Sequence, residues 1–490
     1  MKVPILSLFL SATLLLALPL LSLAHTPRQS YTLKRDLHSR ISANVSDTTD
    51  YANSSQTDIA NLQKRDGTKY VFIHHVDTYD YNYGLWVNDF TQIQAKNIDA
   101  VALNIGRDPW EWDRVQDAYS AAASVGIDVF ISFDYTSFDC SVDETVNWVN
   151  AHSGLPAQFK VDGRPMVSSF SGDCLGPGGW QAVRDRTGGY LMPFIYNIDY
   201  QQLGRGGSYG FLDSWQCWGC AWPQGDEDKT TEDDQYYMNI LGSGRYAATV
   251  SAWFFTHYNY KNFYFRGDAW LLLTRWEELI AMRDKLDKVE ILTWSVFCFF
   301  LKLSQIHDGS GRNDFGESHY LNSGPPTAGS QPYGTTWTEG YPHDAFFDID
   351  GYYIEAFKTG TYPAITNDKI YFWSRPHPAG INANNDGLPR PQGWDWTSDT
   401  LWAAVFCSST CSVTLQVGTY SQDFNDLASG VNKISMPLNA LGFVTVKMRK
   451  DGQEVINYTP NDFQYRGWTE QYNFNAYVGS ASTGASSGLF

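Results

Sequence analysis

The sequence predicts a TIM-type (β/α)8 barrel followed by an antiparallel β-sandwich. Between residues 70 and 294, eight apolar segments rich in β-branched residues alternate with helical patterns. Strands that are apolar along their whole length and joined by crossovers are typical of a parallel sheet buried on both faces. Eight is also the number of such strands that closes a barrel. After residue 362, strands follow one another without helices between them, which is typical of an antiparallel domain.

The barrel strands are predicted from their apolar, β-branched composition, at residues 70–75, 100–105, 129–133, 165–170, 191–196, 212–218, 247–255 and 289–294. Helical periodicity predicts helices at 114–125, 142–149 and 270–286. An open doubly wound sheet is the alternative, and it needs a phosphate-binding glycine loop after its first strand. That strand instead ends in His74-His75-Val76-Asp77, which favours the barrel.

The second domain is predicted from short strands separated by turns, at residues 369–374, 401–407, 412–417, 431–436 and 443–448. Lys450-Asp-Gly452 is a hairpin signal between two of its strands. We therefore assign residues 66–362 to the barrel, 363–478 to the sandwich and the Ser/Gly-rich residues 479–490 to a linker-like tail. The sandwich either presents aromatic rings to a carbohydrate or only covers the barrel.

The amino-terminal residues predict export from the cell. An apolar run after Met1-Lys2 ends in Ser22-Leu-Ala24, so residues 1–24 match a signal peptide. A membrane anchor is the alternative, but the run barely reaches the roughly 18 residues that a span needs. Residues 25–65 are polar and predicted to be a disordered propeptide. Their last residues are the dibasic pair Lys64-Arg65, although such pairs also arise by chance. Glycosylation sequons begin at Asn44, Asn53 and Asn457.

Charge and composition narrow the choice of partner. The net charge is −18 and the isoelectric point is near 4.9, without a basic patch, which argues against nucleic acid and anionic membranes. Aromatic residues make up 16% of the chain, including 18 Trp and 30 Tyr. Flat rings with polar edges are the surfaces on which sugar rings stack. The composition favours a carbohydrate partner, and we expect a monomer without a cofactor.

Residues of a binding site should follow the barrel strands, because barrel enzymes work at the carboxyl ends of their strands. The candidate substrate-binding residues at these positions are His75, Asp77, Asn104, Tyr135, Tyr196, Trp218, Trp253, His257 and Trp294. Adjacent residues of a strand point to opposite faces, so only one of His74 and His75 reaches the cavity and they do not form a metal site. The histidine that reaches it either bonds a sugar hydroxyl or is structural.

Two acidic segments give little indication of a function. Residues 348–351 faintly resemble a calcium loop but lack its later ligands and terminal glutamate. The acidic run at residues 226–234 is predicted to be a solvated loop.

Asp314 and Glu317 form the candidate catalytic pair beyond the last barrel strand. Cleavage of a glycosidic bond needs one carboxyl to protonate the leaving oxygen and another to activate water or attack the sugar. Gly316 permits the sharp turn that would let both flank one bond. We assign Glu317 as the acid and Asp314 as the base. Asp134, after the third strand, is the third candidate; it either raises the pKa of a neighbouring acid or is structural.

Several segments resemble the fungal α-1,3-glucanases (mutanases) of glycoside hydrolase family 71. They are Phe72-Ile-His-His-Val76, Ile131-Ser-Phe-Asp-Tyr135, Phe211-Leu-Asp-Ser-Trp215, Trp253-Phe-Phe-Thr-His-Tyr258 and Asn313-Asp-Phe-Gly-Glu-Ser-His-Tyr320. The resemblance implies inverting hydrolysis of α-1,3-glucan in fungal walls or bacterial biofilm by a barrel followed by a sandwich. It also implies that Asp134, Asp314 and Glu317 are the functional carboxylates.

Residues 295–312 interrupt a segment that is continuous in this family. Seven cysteines leave an odd number in an exported protein, and only Cys298 lies in the interruption. The close neighbours Cys217 and Cys220, and Cys407 and Cys411, suggest two disulfides and leave Cys140 with Cys174, although sequence does not fix connectivity. We hypothesise that the interruption is translated intron; a genuine loop is the alternative.

Two other functions compete with that of an enzyme that cleaves glucan. A glucan-binding wall protein that has lost catalysis through the interruption is the main alternative. An acyl or peptide hydrolase is disfavoured, because the chain lacks a Gly-X-Ser-X-Gly elbow and a paired Cys/His signature.

Overall fold

The computed structural model describes residues 67–76, 81–294, 314–323 and 337–483. The predicted signal peptide and propeptide, the interruption at 295–312 and the candidate residue Asp77 lie outside these ranges. None of the helices within these ranges combines the length and the apolar character needed to cross a membrane.

A curled, mainly parallel sheet forms the first domain. Its strands are β1 (Tyr70–Val76), β2 (Ala100–Ile105), β3 (Asp128–Asp134), β4 (Lys160–Val161), β5 (Arg164–Phe170), β6 (Tyr190–Phe194), β7 (Trp215–Gln216), β8 (Tyr246–Val250) and, after the hairpin of β9 (Phe254–His257) and β10 (Asn262–Phe265), β11 (Lys288–Ile291). In the described part of the chain the order is β4-β5-β3-β2-β1-β11-β8-β7, with β6 also paired to β5. Among the strands that the structure describes in this sheet, only β4 runs antiparallel to its neighbour.

The two ends of the parallel sheet, β6 and β7, approach each other. The Ser214 amide donates to the carbonyl of Leu191 at 2.9 Å, and the Trp215 indole donates to the carbonyl of Ile195 at 3.1 Å. Inside the curl, Phe72 and Phe130 meet edge to face with ring centroids 5.2 Å apart. These contacts confirm a mixed α/β domain whose parallel sheet curls around an apolar interior.

Helices cover the outer face of this sheet. They are α1 (Tyr83–Gln94), α2 (Glu111–Val125), α3 (Val142–His152), α4 (Gly176–Thr187), α5 (Glu232–Leu241), α6 (Leu271–Ala281) and α7 (Asp344–Thr359). Ser141 caps α3, since its hydroxyl accepts from the Glu144 amide at 3.2 Å. The sequence did not reveal α4, because its first turn is Gly-Pro-Gly-Gly, although proline suits that first turn.

The acidic run at residues 226–234 was predicted to be a solvated loop, but this prediction is wrong for its last residues. Asp234 lies in α5 and is completely buried, together with Arg275 of α6. Two guanidinium nitrogens of Arg275 donate to its carboxylate at 2.5 and 2.6 Å, and the Tyr246 hydroxyl donates at 2.6 Å. The prediction failed because clustered acids in a sequence do not show which of them has a buried cation as partner.

Antiparallel strands form the second domain. They are β12 (Lys369–Ser374), β13 (Thr400–Cys407), β14 (Cys411–Val417), β15 (Tyr420–Leu427), β16 (Gly430–Pro437), β17 (Gly442–Lys450), β18 (Gln453–Tyr458), β19 (Gln464–Tyr465) and β20 (Tyr477–Ser482). One sheet has the order β16-β13-β12-β20, and the other has β15-β14-β17-β18 with β19 beside β17. The two sheets share one apolar core, an arrangement compatible with the predicted sandwich. Strand β20 extends to Ser482, four residues into the segment assigned to the tail.

Disulfides join the six cysteines outside residues 295–312. The pairs are Cys140–Cys174, Cys217–Cys220 and Cys407–Cys411, as the spacing suggested. The first pair ties the loop after β3 to the loop after β5, and both loops lie at the carboxyl edge of the sheet.

Three tryptophans, of which Trp253 and Trp373 are buried, join the two domains through hydrogen bonds to main-chain carbonyls. The Trp253 indole donates to Phe474 at 2.9 Å, the Trp270 indole to Ala403 at 3.0 Å and the Trp373 indole to Asp268 at 2.8 Å. Trp253 has no exposed surface, so its prediction as a sugar-binding residue is corrected: it is an interdomain contact.

The buried carboxyl of Asp350 in α7 gives a testable pH dependence of stability. Burial raises its pKa to about 7, against smaller opposing effects of the Trp276 indole, which donates to it at 2.6 Å, and of Lys96. A pKa that is higher in the folded state favours folding at low pH, so this contribution is lost as the pH rises from about 4 to about 7. We expect Asp350→Asn to remove a slope approaching 1.4 kcal/mol per pH unit from the unfolding free energy in that window. Urea unfolding at several pH values would measure it; parallel curves for parent and variant would contradict the expectation.

Candidate active site

Glu317 lies at the carboxyl edge of the parallel sheet, in the 3₁₀ turn Asp314–Glu317. The turn is joined to the chain beyond β11, because the Thr293 amide donates to the carbonyl of His319 at 3.0 Å. Next to it, the Trp294 amide donates to the carbonyl of His74 in β1 at 2.7 Å. A Cβ atom on Gly316 would collide with the Tyr258 hydroxyl, so a larger residue here would require the Tyr258 ring to shift.

Two basic side chains hold the half-buried carboxylate of Glu317. The Lys261 ammonium contacts Oε1, and His319 Nε2 lies 3.2 Å from Oε2. His319 Nδ1 lies 3.1 Å from the Thr293 hydroxyl, which orients the ring. Burial alone would raise the pKa of Glu317, but the charge of Lys261 and the contacts with His319 outweigh it and lower the pKa to about 2. The contacts with Lys261 and His319 therefore favour the ionised form of the Glu317 carboxyl.

The hairpin of β9 and β10 carries Lys261 at its tip. Its ammonium lies 5.5 Å from the ring centroid of Phe254 and 5.9 Å from that of Phe263. His257 in β9 bonds Asn262 at 2.8 Å on one ring nitrogen and Asp386 of the second domain at 2.8 Å on the other. His257 is buried, so its prediction as a sugar-binding residue is corrected: it fixes the hairpin.

Removal of Lys261 should shift the pH dependence of catalysis. Lys261→Met takes away the charge that lowers the pKa of Glu317, so we expect that pKa to rise toward or above the ordinary value of a glutamate. If Glu317 must be ionised, the acid limb of the kcat/KM profile then moves up by about one to two pH units. Lys285→Met, which changes an exposed lysine, is the control. An acid limb that stays in place in Lys261→Met would contradict the electrostatic role.

Asp134 lies at the end of β3 and is half-buried. It accepts hydrogen bonds from the Thr136 amide at 3.0 Å and the Thr136 hydroxyl at 2.6 Å. Burial raises the pKa of Tyr196, the hydrogen bond with Ser171 opposes this, and the charges of Asp173 and Asp134 add to the rise. Asp134 and Tyr196, both predicted site residues, therefore lie near each other at this edge.

Trp218 lies between Asp134 and Tyr196 on one side and the surroundings of Glu317 on the other. Its ring meets Phe170 edge to face with centroids 5.0 Å apart, and Phe170 lies 6.0 Å from Tyr196. On its other side Trp218 packs against the apolar cluster that contains Trp222, whose ring is 5.7 Å from that of His319. Ring contacts thus connect the Asp134 side of the sheet edge with the Glu317 side.

His75 is not the histidine that faces the interior, and this prediction is corrected. His75 is buried against α1, with Nε2 3.3 Å from Asp89 and its ring 4.5 Å from that of Trp86. The neighbouring His74 bonds Glu290 of β11 at 2.9 Å and meets Trp218 edge to face with ring centroids 4.8 Å apart. The alternation of faces was predicted correctly, but the sequence did not show which histidine faces inward.

Tyr135 and Trp294 were also predicted to bind substrate, and this prediction is corrected because both rings are buried in structural contacts. The Tyr135 hydroxyl lies 2.7 Å from that of Thr145, and its ring is buried between Phe138 and Trp180. Trp294 is buried edge to face against Phe347, with centroids 4.9 Å apart.

Asn104 is buried at the end of β2 in register with Ser132. His74, His319 and Lys261, which lie in or beside this candidate site, were not predicted from the sequence. His319 stands two residues after Glu317, which was an available signal, whereas nothing near Lys261 in the sequence indicates its ion pair.

A carboxylate held ionised at the carboxyl edge of a curled parallel sheet is a feature that glycoside hydrolases use, and the comparison with known proteins places the chain in that class. The chain belongs to glycosyl hydrolase family 71, whose sequence pattern matches residues 67–489.

Curated relatives are similar along most of their length. The chain is 33% identical to glucan endo-1,3-alpha-glucosidase agn1 of Schizosaccharomyces pombe over 442 residues, 86% of this chain and 96% of that protein. It is 30% identical to a mutanase of Penicillium rubens over 439 residues, 86% of this chain and 91% of that protein. Among solved structures, the GH99 endo-alpha-mannosidase of Bacteroides thetaiotaomicron has a TM-score of 0.45 and 10% identity, covering 59% of this chain and 98% of that one.

Proposed function

We propose that this protein is an exported enzyme that hydrolyses α-1,3-glucan in or near a cell wall, with inversion at the anomeric carbon. The names of the two relatives at 30% identity or more support the substrate. The observation that carries the chemistry is the contact of the Glu317 carboxylate with Lys261 and His319, which favours its ionised form. Inversion needs one ionised and one protonated carboxyl on opposite sides of the scissile bond.

We assign Glu317 as the general base and Asp314 as the general acid, the reverse of the assignment from sequence. An ionised Glu317 can take a proton from water, which then attacks the anomeric carbon from the face opposite the leaving oxygen. Asp314, three residues earlier in the same 3₁₀ turn, protonates the leaving oxygen. Asp134, with Tyr196 and Trp218 beside it, contacts the hydroxyls and ring faces of the bound glucosyl units.

We further propose that the curled sheet closes into a (β/α)8 barrel. Two observations support closure. Once β4 and the hairpin of β9 and β10 are set aside, neighbouring parallel strands are consecutive in the chain, except that the first, β1, pairs with the last, β11. In addition, the Ser214 amide donates to the carbonyl of Leu191 between the two ends of the sheet. Closure would place the ends of all parallel strands around one substrate groove.

Incubation with insoluble α-1,3-glucan tests this function. We expect release of reducing sugars, and NMR of the first products should show the β-anomer, because inversion changes the configuration of an α-linkage. Amylose and a β-1,3-glucan serve as controls and should release little. No release from α-1,3-glucan would overturn the proposal, and binding without release would favour a non-catalytic glucan-binding protein. First products in the α-configuration would overturn the inverting mechanism.

A further inference from the structure

A separate pocket of about 210 Å³ opens at the carboxyl edge of the sheet, beside the ends of β2 and β3. Its apolar wall consists of three rings, Trp112 of α2, Trp148 of α3 and Phe138 of the loop after β3. None of the residues assigned to bond cleavage lines it. It is therefore a concave surface apart from those residues, on the edge that carries Asp134.

Trp112 presents its ring to this pocket. Its side chain is 39% exposed, which is a large exposure for a tryptophan, and its ring meets Trp148 edge to face with centroids 4.7 Å apart. Trp148 in turn stacks on His152 with centroids 5.7 Å apart, so the support beneath Trp112 is fixed. An exposed, supported indole is the surface on which the apolar face of a pyranose ring packs.

Charged side chains surround the rings. They are Arg107, Asp108, Asp139 and Glu144. Within the described ranges, none of these four side chains forms an ion pair with another residue. By contrast, Glu317 is paired with Lys261, and Asp134 accepts a hydrogen bond from Thr136. Three carboxylates against one guanidinium disfavour an anionic ligand and offer acceptors to hydroxyl groups. The chemistry fits a neutral, hydroxyl-rich ligand.

The pocket is formed before any ligand binds. The loop after β2 is held by the buried Glu111, which accepts from the Gly106 amide at 2.5 Å. The loop after β3 turns on Asp134, whose carbonyl accepts from the Phe138 amide at 2.6 Å, and is tied to the loop after β5 by the Cys140–Cys174 disulfide. Fixed loops lose little conformational entropy on binding, so a weak sugar contact suffices.

We propose that this pocket is a secondary glucan-binding site, which holds a glucosyl unit on Trp112 at a distance from the bond that is cleaved. The identity of the sugar rests on the proposed function. The site would retain the enzyme on an insoluble polymer, whereas a short soluble oligosaccharide bound around Glu317 would not reach it.

Trp112→Ala tests the proposal in two backgrounds. In Glu317→Gln protein, which we expect to bind without cleaving, retention on insoluble α-1,3-glucan should fall about fivefold to tenfold. In active protein, hydrolysis of a short α-1,3-oligosaccharide should be unchanged. Trp468→Ala, an exposed tryptophan of the second domain, is the matched control and should alter neither readout. Glu144→Gln, an exposed change in the pocket wall, should weaken retention without affecting the packing of Trp112.

The outcomes separate this proposal from the proposed function. Unchanged retention in both Trp112→Ala and Glu144→Gln would overturn the secondary site while leaving hydrolysis in place. An equal loss of activity on the short oligosaccharide would also overturn it, because the pocket would then belong to the primary site. Failure of the unaltered protein to release sugar from α-1,3-glucan would instead overturn the proposed function.

Discussion

Glu317→Gln is expected to lower kcat for α-1,3-glucan by about 10³-fold to 10⁴-fold, because an amide cannot accept the proton of the attacking water. Glutamine keeps the size of the side chain and a carbonyl oxygen that can accept from Lys261, so KM should change little. The initial rate of reducing-sugar release measures the effect. Glu454→Gln, an exposed glutamate of the second domain, should behave as the parent. A Glu317→Gln enzyme within tenfold of the parent would contradict the assignment.

A substrate with an activated leaving group distinguishes the base from the acid. An α-1,3-oligoglucosyl fluoride needs no proton on its leaving group, so it bypasses the general acid only. We expect Asp314→Asn to recover activity on the fluoride and Glu317→Gln to remain slow. The opposite result would restore the assignment made from the sequence, with Glu317 as the acid.

Arg275→Met is expected to destabilise the protein by about 3–5 kcal/mol, because it leaves the carboxylate of Asp234 buried without its cation. Both side chains are fully buried, and the pair has two short hydrogen bonds. Burial alone would raise the pKa of Asp234, whereas Arg275 reverses this and lowers it. The free energy of unfolding from urea titration at neutral pH would measure the loss.

Arg186→Met is the matched control for this stability prediction. Arg186 and Asp143 also approach to 2.6 Å, but their side chains are 46% and 77% exposed. Water screens such a pair, so its loss should cost at most about 1 kcal/mol. Equal losses in the two variants would show that burial does not set the strength of the Asp234 pair.

The order of strands and helices could be read from the sequence because each barrel strand is apolar along its length. The parallel order of β1, β2 and β3 follows from that pattern together with short helical crossovers. Helix α4 was not predicted, because its glycine-rich start has low helix propensity. The first two residues of β9 were assigned to the end of the strand predicted at residues 247–255, and β10 was not predicted, so the position of Lys261 at the tip of the hairpin was missed.

The candidate site was predictable only in outline. The edge of the sheet and Glu317 follow from motif and topology, but aromatic residues at the strand ends serve both the core and the rim. Trp218 is half-buried near Tyr196, whereas Trp253 and Trp294 are enclosed by the second domain and by α7. Which ring is enclosed depends on residues far away in the chain, and local sequence does not contain that information.

The bond between His257 and Asp386 has a consequence for protein engineering. It fastens the strand that leads to Lys261 onto a loop of the carboxyl-terminal half, and Asp386 also accepts from the Tyr472 amide at 2.8 Å. We therefore expect the pKa of Glu317 to shift in a chimera that takes this half from a homologue, even when every residue of the first half is retained. Crossover points for such chimeras should keep Asp386 and Tyr472 with the parent that supplies His257.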